Sequence, residues 1–478
     1  MKAGYTVALA VIGFGITCLI GGLNVSGKTS RFVSSALVIA GVVLILICMV
    51  LVITHAIRGL ERKDRPTPVR GDASAPVKEP TAETKAADFN ERIVEFNRHL
   101  QDVVDHVLLV ANPELRDRVL TVKLPTGTRR LPVVSLSDAR LDRFGQDAVT
   151  VLPFLADEMD STRHDRGLID FIAKTGRVLW DNDVFRLLDV SGQNELSFGI
   201  TRYFKALTTC DRFLYELVRR FPTSPTRPSL ASLAELDLLS EWRETVNRIV
   251  INKQLHHISA AVGVSVLSVF RHVTDDGTNV YLYPTVEQSL EKNSASDRHV
   301  IPSFMFEPFT ASYVDRVKEL DLEYQVLREF GEEVLGIKDL SRSVMHWKTV
   351  YGMIESNVAL KTLRSLLRSK HAVLRVTGLW LDLLRLRPEV TCTLIVDDVD
   401  YLKSHMTRFT GSWENVPGVK WSRLESEAEY ASILSDGDSP LCPPGAAALV
   451  GGRAFALSYL KGKTEAAREG RGSSNASI

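Results

Sequence analysis

Cysteine is scarce in this chain, and its few copies are not spaced for chemistry. Of the 478 residues only five are cysteines, and none stands in a C-x-x-C pair or at a Cys/His spacing typical of zinc ligands. The sequence therefore indicates neither a zinc site nor a disulfide framework. This agrees with a reducing compartment such as the cytosol.

An excess of charge of either sign is also missing. Lys plus Arg and Asp plus Glu number 58 each, so the formal net charge is zero. A large basic field is the usual mark of a protein that binds nucleic acid. We therefore expect no nucleic-acid partner.

Charged residues are absent altogether from two long stretches near the N-terminus, residues 3–27 and 32–53. Each exceeds the roughly 20 apolar residues that cross a bilayer. A signal peptide would explain the first stretch alone, but no clear small-x-small cleavage site follows it and the second stretch comes at once. The sequence predicts a two-helix transmembrane hairpin at residues 4–56, which would contact membrane lipid and could support a homo-oligomer.

Basic residues flank these two stretches unevenly. The turn between them holds two, whereas five follow the second stretch: Arg58, Arg62, Lys63, Arg65 and Arg70. Because basic residues favour the cytoplasmic side, we expect a cell-membrane protein with both termini in the cytoplasm. Residues 22–29 in the turn match the P-loop pattern, but a P-loop needs a short buried strand before it and a soluble helix after it. We interpret them as a hairpin turn.

The rest of the chain divides by composition into four parts. Residues 57–87 are rich in Pro, Ala, Lys, Glu and Thr and lack aromatics, which predicts a linker. Residues 88–257 mix helical and strand patterns and predict an α+β domain of unknown role. Its alternating segments around residues 119–134, split by a turn at residues 125–127, predict a hairpin. Residues 258–460 predict a second, strand-rich domain, with a hairpin turn at residues 275–277 and a helix around residues 350–367. The polar residues 461–478 predict a disordered tail. The predicted fold class is therefore α+β.

The most informative stretch lies inside the second domain, at residues 328–337. Glu329, Glu332 and Glu333 are spaced i, i+3 and i+4, which places them on one face of a helix. The opposite face carries an apolar stripe: Leu320, Tyr324, Leu327, Phe330 and Val334.

Two penalties fall on these glutamates. They repel one another, and they lie in the last turns before Gly336, a predicted C-cap, where the helix dipole disfavours negative charge. A divalent cation such as magnesium would relieve both, because it takes carboxylate oxygens as ligands. The ordinary alternative is a solvated acidic face.

The run Arg328-Glu-Phe-Gly-Glu-Glu333, among strands in this order, resembles the signature of the Nudix hydrolase superfamily. That signature reads Gly, five residues, Glu, seven residues, then Arg-Glu-apolar-x-Glu-Glu-x-Gly-apolar. This chain has one residue more before Gly336. It lacks the first glycine, and eight residues before Arg328 it has Leu320, with Glu319 out of register by one.

The resemblance implies a C-terminal Nudix-like α/β/α sandwich with a mixed sheet over residues 258–460. It implies catalytic roles for Arg328, Glu329, Glu332 and Glu333, in which the three glutamates hold Mg²⁺ and Arg328 pairs with a carboxylate. The metal would neutralise a diphosphate and help to generate a hydroxide nucleophile. The predicted function is therefore a membrane-anchored hydrolase of a nucleoside diphosphate derivative. The alternative is a non-catalytic nucleotide-sensing or interaction protein coupled to the two-helix anchor.

Overall fold

The computed structural model describes most of the chain after residue 81. The described residues are 82–136, 165–174, 181–190, 196–221, 236–256, 258–289, 296–308, 318–337, 347–409, 418–436 and 439–474, with 179, 230, 233 and 316. All of them belong to one compact unit, residues 68–478.

Two sheets account for the described strands. In chain order these are β1 Val119–Leu124, β2 Gly127–Ser135, β3 Asp183–Val190, β4 Leu196–Arg202, β5 Gly263–Val273, β6 Asn279–Ser289, β7 Ser296–Val300, β8 Ser303–Met305, β9 Ala372–Asp382, β10 Arg387–Val396 and β11 Lys420–Arg423. β3 and β4 form a separate hairpin. The other nine form one sheet in the order β1-β2-β9-β10-β5-β6-β11, with β7 on β6 and β8 on β5. Among the strands that the structure describes, β10 and β5 alone pair in parallel, so the sheet is mixed.

Helices cover both faces of the large sheet. The described α-helices are α1 Ala82–Arg98, α2 Leu100–Val103, α3 Leu109–Ala111, α4 Arg166–Lys174, α5 Tyr203–Cys210, α6 Arg212–Arg220, α7 Asp237–Val250, α8 Leu322–Glu329, α9 Trp347–Ser356, α10 Val358–Arg368, α11 Val399–His405, α12 Glu427–Ser435 and α13 Pro443–Ser474. Alternation along β10 sets the faces, because Cys392 and Leu394 join the core under α8, α10 and α11, while Ile395 joins the core under α12 and α13. The central strands are thus buried on both faces, as expected for a three-layer arrangement.

Turn chemistry explains why several strands lie where the sequence predicts them. The hairpin predicted around residues 275–277 is β5–β6, closed by Gly277 at φ +81°. The hairpin predicted at 119–134 is β1–β2, with Gly127 at φ +133°. Positive φ suits glycine because it has no Cβ. Both predictions are confirmed.

The N-terminal and C-terminal parts of the described chain share this sheet. β2 pairs with β9 through Val133 and Asp382, Val134 and Leu381, and Ser135 and Trp380. The predicted division at residue 258 therefore does not separate two sheets. α1 begins at Ala82, inside the predicted linker, and α13 continues past residue 460 to Ser474.

One part of the predicted fold class needs correction, the transmembrane hairpin at residues 4–56. Within the described ranges no helix is both long enough and apolar enough to cross a bilayer, and residues 4–56 lie outside those ranges. The predicted cell-membrane location, with both termini cytoplasmic, rested on that hairpin and is corrected with it. The fold class is α+β with a mixed sheet.

The contact between α13 and the sheet gives a test of this packing. A Cβ on Gly452 would lie 2.6 Å from Thr393 Oγ1 and 2.9 Å from Leu267 Cδ2. We expect Gly452→Ala to lower the free energy of unfolding by about 1–3 kcal/mol through overpacking, measured by urea denaturation of the full chain.

The neighbouring glycine provides the control. A Cβ on Gly451 would meet Thr377 O at 3.5 Å, an ordinary contact. Gly451→Ala should therefore leave stability unchanged or raise it by up to about 1 kcal/mol through helix propensity. Equal effects of the two substitutions would contradict the packing described.

Candidate active site

The acidic helix predicted from the sequence is α8, and its apolar stripe faces the core. Asp321 caps its N-terminus by accepting a hydrogen bond from the Tyr324 N–H at 3.2 Å. All five stripe residues are buried: Leu320, Tyr324, Leu327, Phe330 and Val334. Phe330 packs on an aromatic group beneath the helix, with its ring 5.9 Å from Phe409. The predicted orientation of the helix is confirmed.

The helix changes its winding where the glutamates lie. After Glu329 it becomes a π-helical turn, Phe330–Val334, in which the Leu335 N–H donates to Phe330 O at 3.1 Å. Gly336, at φ +63°, then ends the helix, which confirms the predicted C-terminus. A π turn holds one residue more than an α turn. The additional residue that the sequence shows before Gly336 therefore coincides with a widened turn.

Arg328 is the centre of the charged cluster. Its side chain is 1% exposed and forms an ion pair with Glu329 through Nη2. Its Nη1 lies 3.6 Å from Glu332 Oε1. Two of the three predicted glutamates are thus gathered around one buried guanidinium, as the predicted pairing of Arg328 with a carboxylate requires.

Glu329 is not part of a solvated face, because its residue is only 6% exposed. Burial raises its pKa to about 8; the nearby Glu332 and Glu307 act in the same direction and Arg328 opposes them. This carboxyl group is therefore held in a setting that resists negative charge. Such perturbed groups are concentrated at functional sites.

Glu333 points to a different partner. Its Oε2 accepts a hydrogen bond of 2.7 Å from the backbone N–H of Ser303 in β8. The three glutamates therefore do not meet at one point. Among the described residues, no group of three or more His, Cys, Asp or Glu side chains is placed to hold a metal ion as it stands.

Sequence reasoning missed one residue of this cluster, Gln325. Its side chain is fully buried. It accepts a hydrogen bond of 2.9 Å from Arg328 Nη2 and donates to two backbone carbonyl groups. The only signal in the sequence was its position three residues before Arg328, on the same helix face. Many exposed glutamines share that spacing.

No protein-family model matches this chain, and no curated protein sequence matches it either.

The setting of Glu329 predicts a pH-dependent stability. Because folding raises this pKa from its ordinary value near 4.5 to about 8, the unfolded chain ionises first as the pH rises. The stabilisation is complete below the ordinary pKa and is lost as the pH rises through about 8. The loss is at most about 1.4 kcal/mol per pH unit.

The side chain of glutamine does not ionise, so Glu329→Gln should remove this pH dependence of the free energy of unfolding. Between pH 5 and 8, with chelator present, the free energy of unfolding of Glu329→Gln should rise relative to that of the unsubstituted chain. Chemical denaturation at each pH measures it, with the exposed Glu91→Gln on α1 as control. A difference that stays constant with pH would contradict the predicted setting of Glu329.

Proposed function

We propose that this chain is a magnesium-dependent hydrolase of a nucleoside diphosphate derivative. The observation that carries the proposal is the cluster at the end of α8 and on the π turn after it, in which the buried Arg328 contacts Glu329 and Glu332 while Glu333 accepts a hydrogen bond from the Ser303 N–H. This cluster lies in the run that resembles the Nudix signature. The π turn supports the resemblance, because it accounts for the residue by which the chain departs from the signature before Gly336.

The chemistry of the donor set fits magnesium. Carboxylate oxygens are its preferred protein ligands, and it usually keeps several waters. Glu329, Glu332 and Glu333 would hold the ion, and Glu332 and Glu333 would exchange Arg328 and the Ser303 N–H for it. When bound, magnesium would neutralise the diphosphate and lower the pKa of a bound water.

The protein's own residues would orient the site. The ion pair with Arg328 would hold Glu329 in place at the end of α8. The hydrogen bond from the Ser303 N–H to Glu333 keeps the end of the helix close to β8. A raised pKa at Glu329 means that this carboxyl group would yield its proton when a cation arrives. Binding of the metal would therefore release protons at neutral pH.

A second candidate function is nucleotide binding without hydrolysis. It is favoured by the present partners of the glutamates. Glu329 and Glu332 already lie against Arg328, and Glu333 already accepts a hydrogen bond from the Ser303 N–H. The first half of the signature is also missing, with Leu320 where the signature has a glutamate. Such a protein would report on a nucleotide by binding it.

The full chain should be incubated with Mg²⁺ and a set of nucleoside diphosphate derivatives, and the release of nucleoside monophosphate or phosphate measured. We expect the double substitution Glu332→Gln and Glu333→Gln to lower the rate by at least about 10–100-fold, because it removes two of the proposed ligand charges. A matched control is Glu241→Gln with Glu244→Gln, a pair of exposed acids three residues apart on α7.

The outcomes separate the two candidates. Equal rates in the two double variants would rule out the proposed role of the glutamates. Nucleotide binding with no product from the unsubstituted chain would favour the second function. Binding can be followed by calorimetry in the same buffer.

A further inference from the structure

We propose that Cys442 and His299 form a thiolate–imidazolium pair, which makes Cys442 a site of reversible oxidation by hydrogen peroxide. The two residues stand 143 positions apart, so no local spacing in the sequence indicates the pair. The inference does not depend on the proposed hydrolase activity, because neither residue belongs to the acidic cluster.

The imidazole ring of His299 is placed to take the proton of the thiol. Cys442 Sγ lies 3.2 Å from His299 Nδ1, within hydrogen-bond reach of a nucleophile and its base. His299 is on β7, and two backbone hydrogen bonds hold the segment of Cys442 against the same strand. The Arg298 N–H donates to Pro440 O at 3.0 Å, and the Cys442 N–H donates to Arg298 O at 2.9 Å. The sheet therefore fixes the distance between the sulfur and the ring.

The start of α13 adds a second source of positive charge. Cys442 immediately precedes this 32-residue helix. The first two helical residues, Pro443 and Pro444, have no backbone N–H, so Gly445 carries the first donor of the helix. The Gly445 N–H donates to Cys442 Sγ at 3.3 Å. Both this hydrogen bond and the positive end of the helix dipole favour a negative charge on the sulfur.

The other two cysteines that the structure describes have the opposite setting. Cys210 Sγ donates to Ser259 O at 3.7 Å, and burial raises the pKa of its thiol. Burial also raises the pKa of Cys392. Both sites favour the neutral thiol. At Cys442 the sulfur instead accepts a hydrogen bond and faces a base, which favours the thiolate, the reactive form of cysteine.

Burial of the sulfur selects a small oxidant. Cys442 is 4% exposed and His299 is half-buried, so a large substrate has no cleft in which to lie against the sulfur. Hydrogen peroxide is little larger than water. In the proposed step the thiolate attacks one peroxide oxygen, the S–O bond forms as the O–O bond breaks, and the sulfur gives up two electrons. The departing hydroxide takes the imidazolium proton and leaves as water. The product is a sulfenic acid, which small thiols reduce.

The three described cysteines allow a comparison within one sample. The full chain is treated with hydrogen peroxide at pH 7, quenched with catalase and unfolded in an alkylating reagent, and mass spectrometry of its peptides measures the remaining thiol at each cysteine. We expect Cys442 to be oxidised at least about 10-fold faster than Cys210 and Cys392, because an ordinary thiol is only a few per cent ionised at this pH. Dithiothreitol added before alkylation should restore the thiol of Cys442.

His299→Gln tests the role of the base. Glutamine keeps a polar side chain but takes up no proton, so oxidation of Cys442 should slow by at least about 10-fold. The ultraviolet absorbance of the thiolate, measured as the difference from the Cys442→Ser chain, should disappear as well. His272→Gln is the matched control, because His272 is also a half-buried histidine on a strand of the large sheet, β5. This control should keep both the rate and the absorbance.

If His299→Gln does not fold, His299→Asn takes its place, and the comparison of the three cysteines needs no variant. Oxidation of Cys442 at the rate of Cys210 and Cys392 would overturn the proposal. An unchanged rate and an unchanged thiolate absorbance in the folded His299 variant would do the same. Either result would leave the proposed hydrolase function standing.

Discussion

The buried ion pair between Arg328 and Glu329 is the interaction on which the candidate site depends. Removing two charges from water is costly, and the cost is offset only by close contact and further hydrogen bonds. Here the guanidinium also reaches Glu332 and Gln325. The positive charge of the Arg328 guanidinium also explains how carboxyl groups can lie near the C-terminal end of a helix, where the helix dipole disfavours negative charge. Without it, burial and the nearby Glu332 and Glu307 would raise the pKa of Glu329 still further.

The sheet supplies the platform for this pair. β8 is hydrogen-bonded to β5, one of the two central parallel strands. Ser303 contacts the C-terminal end through Glu333, and the segment at Glu307 contacts the N-terminal end through Gln325. The helix is therefore held at two points, one on β8 and one on the segment that follows it. Sites supported by regular elements are held more precisely than sites on loops.

Local patterns in the sequence anticipated much of this fold, and long-range contacts account for what they missed. Period-two apolar runs bounded by glycine turns identified β1, β2, β5 and β6, and the apolar stripe identified α8. Nothing local signals that β2 adds to β9, since that pairing joins residues far apart in the chain. A helix predicted around residues 350–367 is broken at Asn357, which caps α10. Spacing placed the three glutamates on one face, but it could not foresee the π turn or the burial of Arg328, which turn their side chains to different partners.

The addition of β2 to β9 has a consequence for any shortened form of the protein. A fragment beginning at residue 258 would retain seven of the nine strands of the large sheet. It would expose the edge of β9 at Trp380, Leu381 and Asp382, where β2 pairs in the intact chain. A row of peptide groups without hydrogen-bond partners can pair with a strand of another copy of the chain, which is a route to aggregation. In the intact chain the outermost position falls to β1, a short strand with Lys123 exposed on it. In the intact chain the hairpin at residues 119–135 covers this edge of β9.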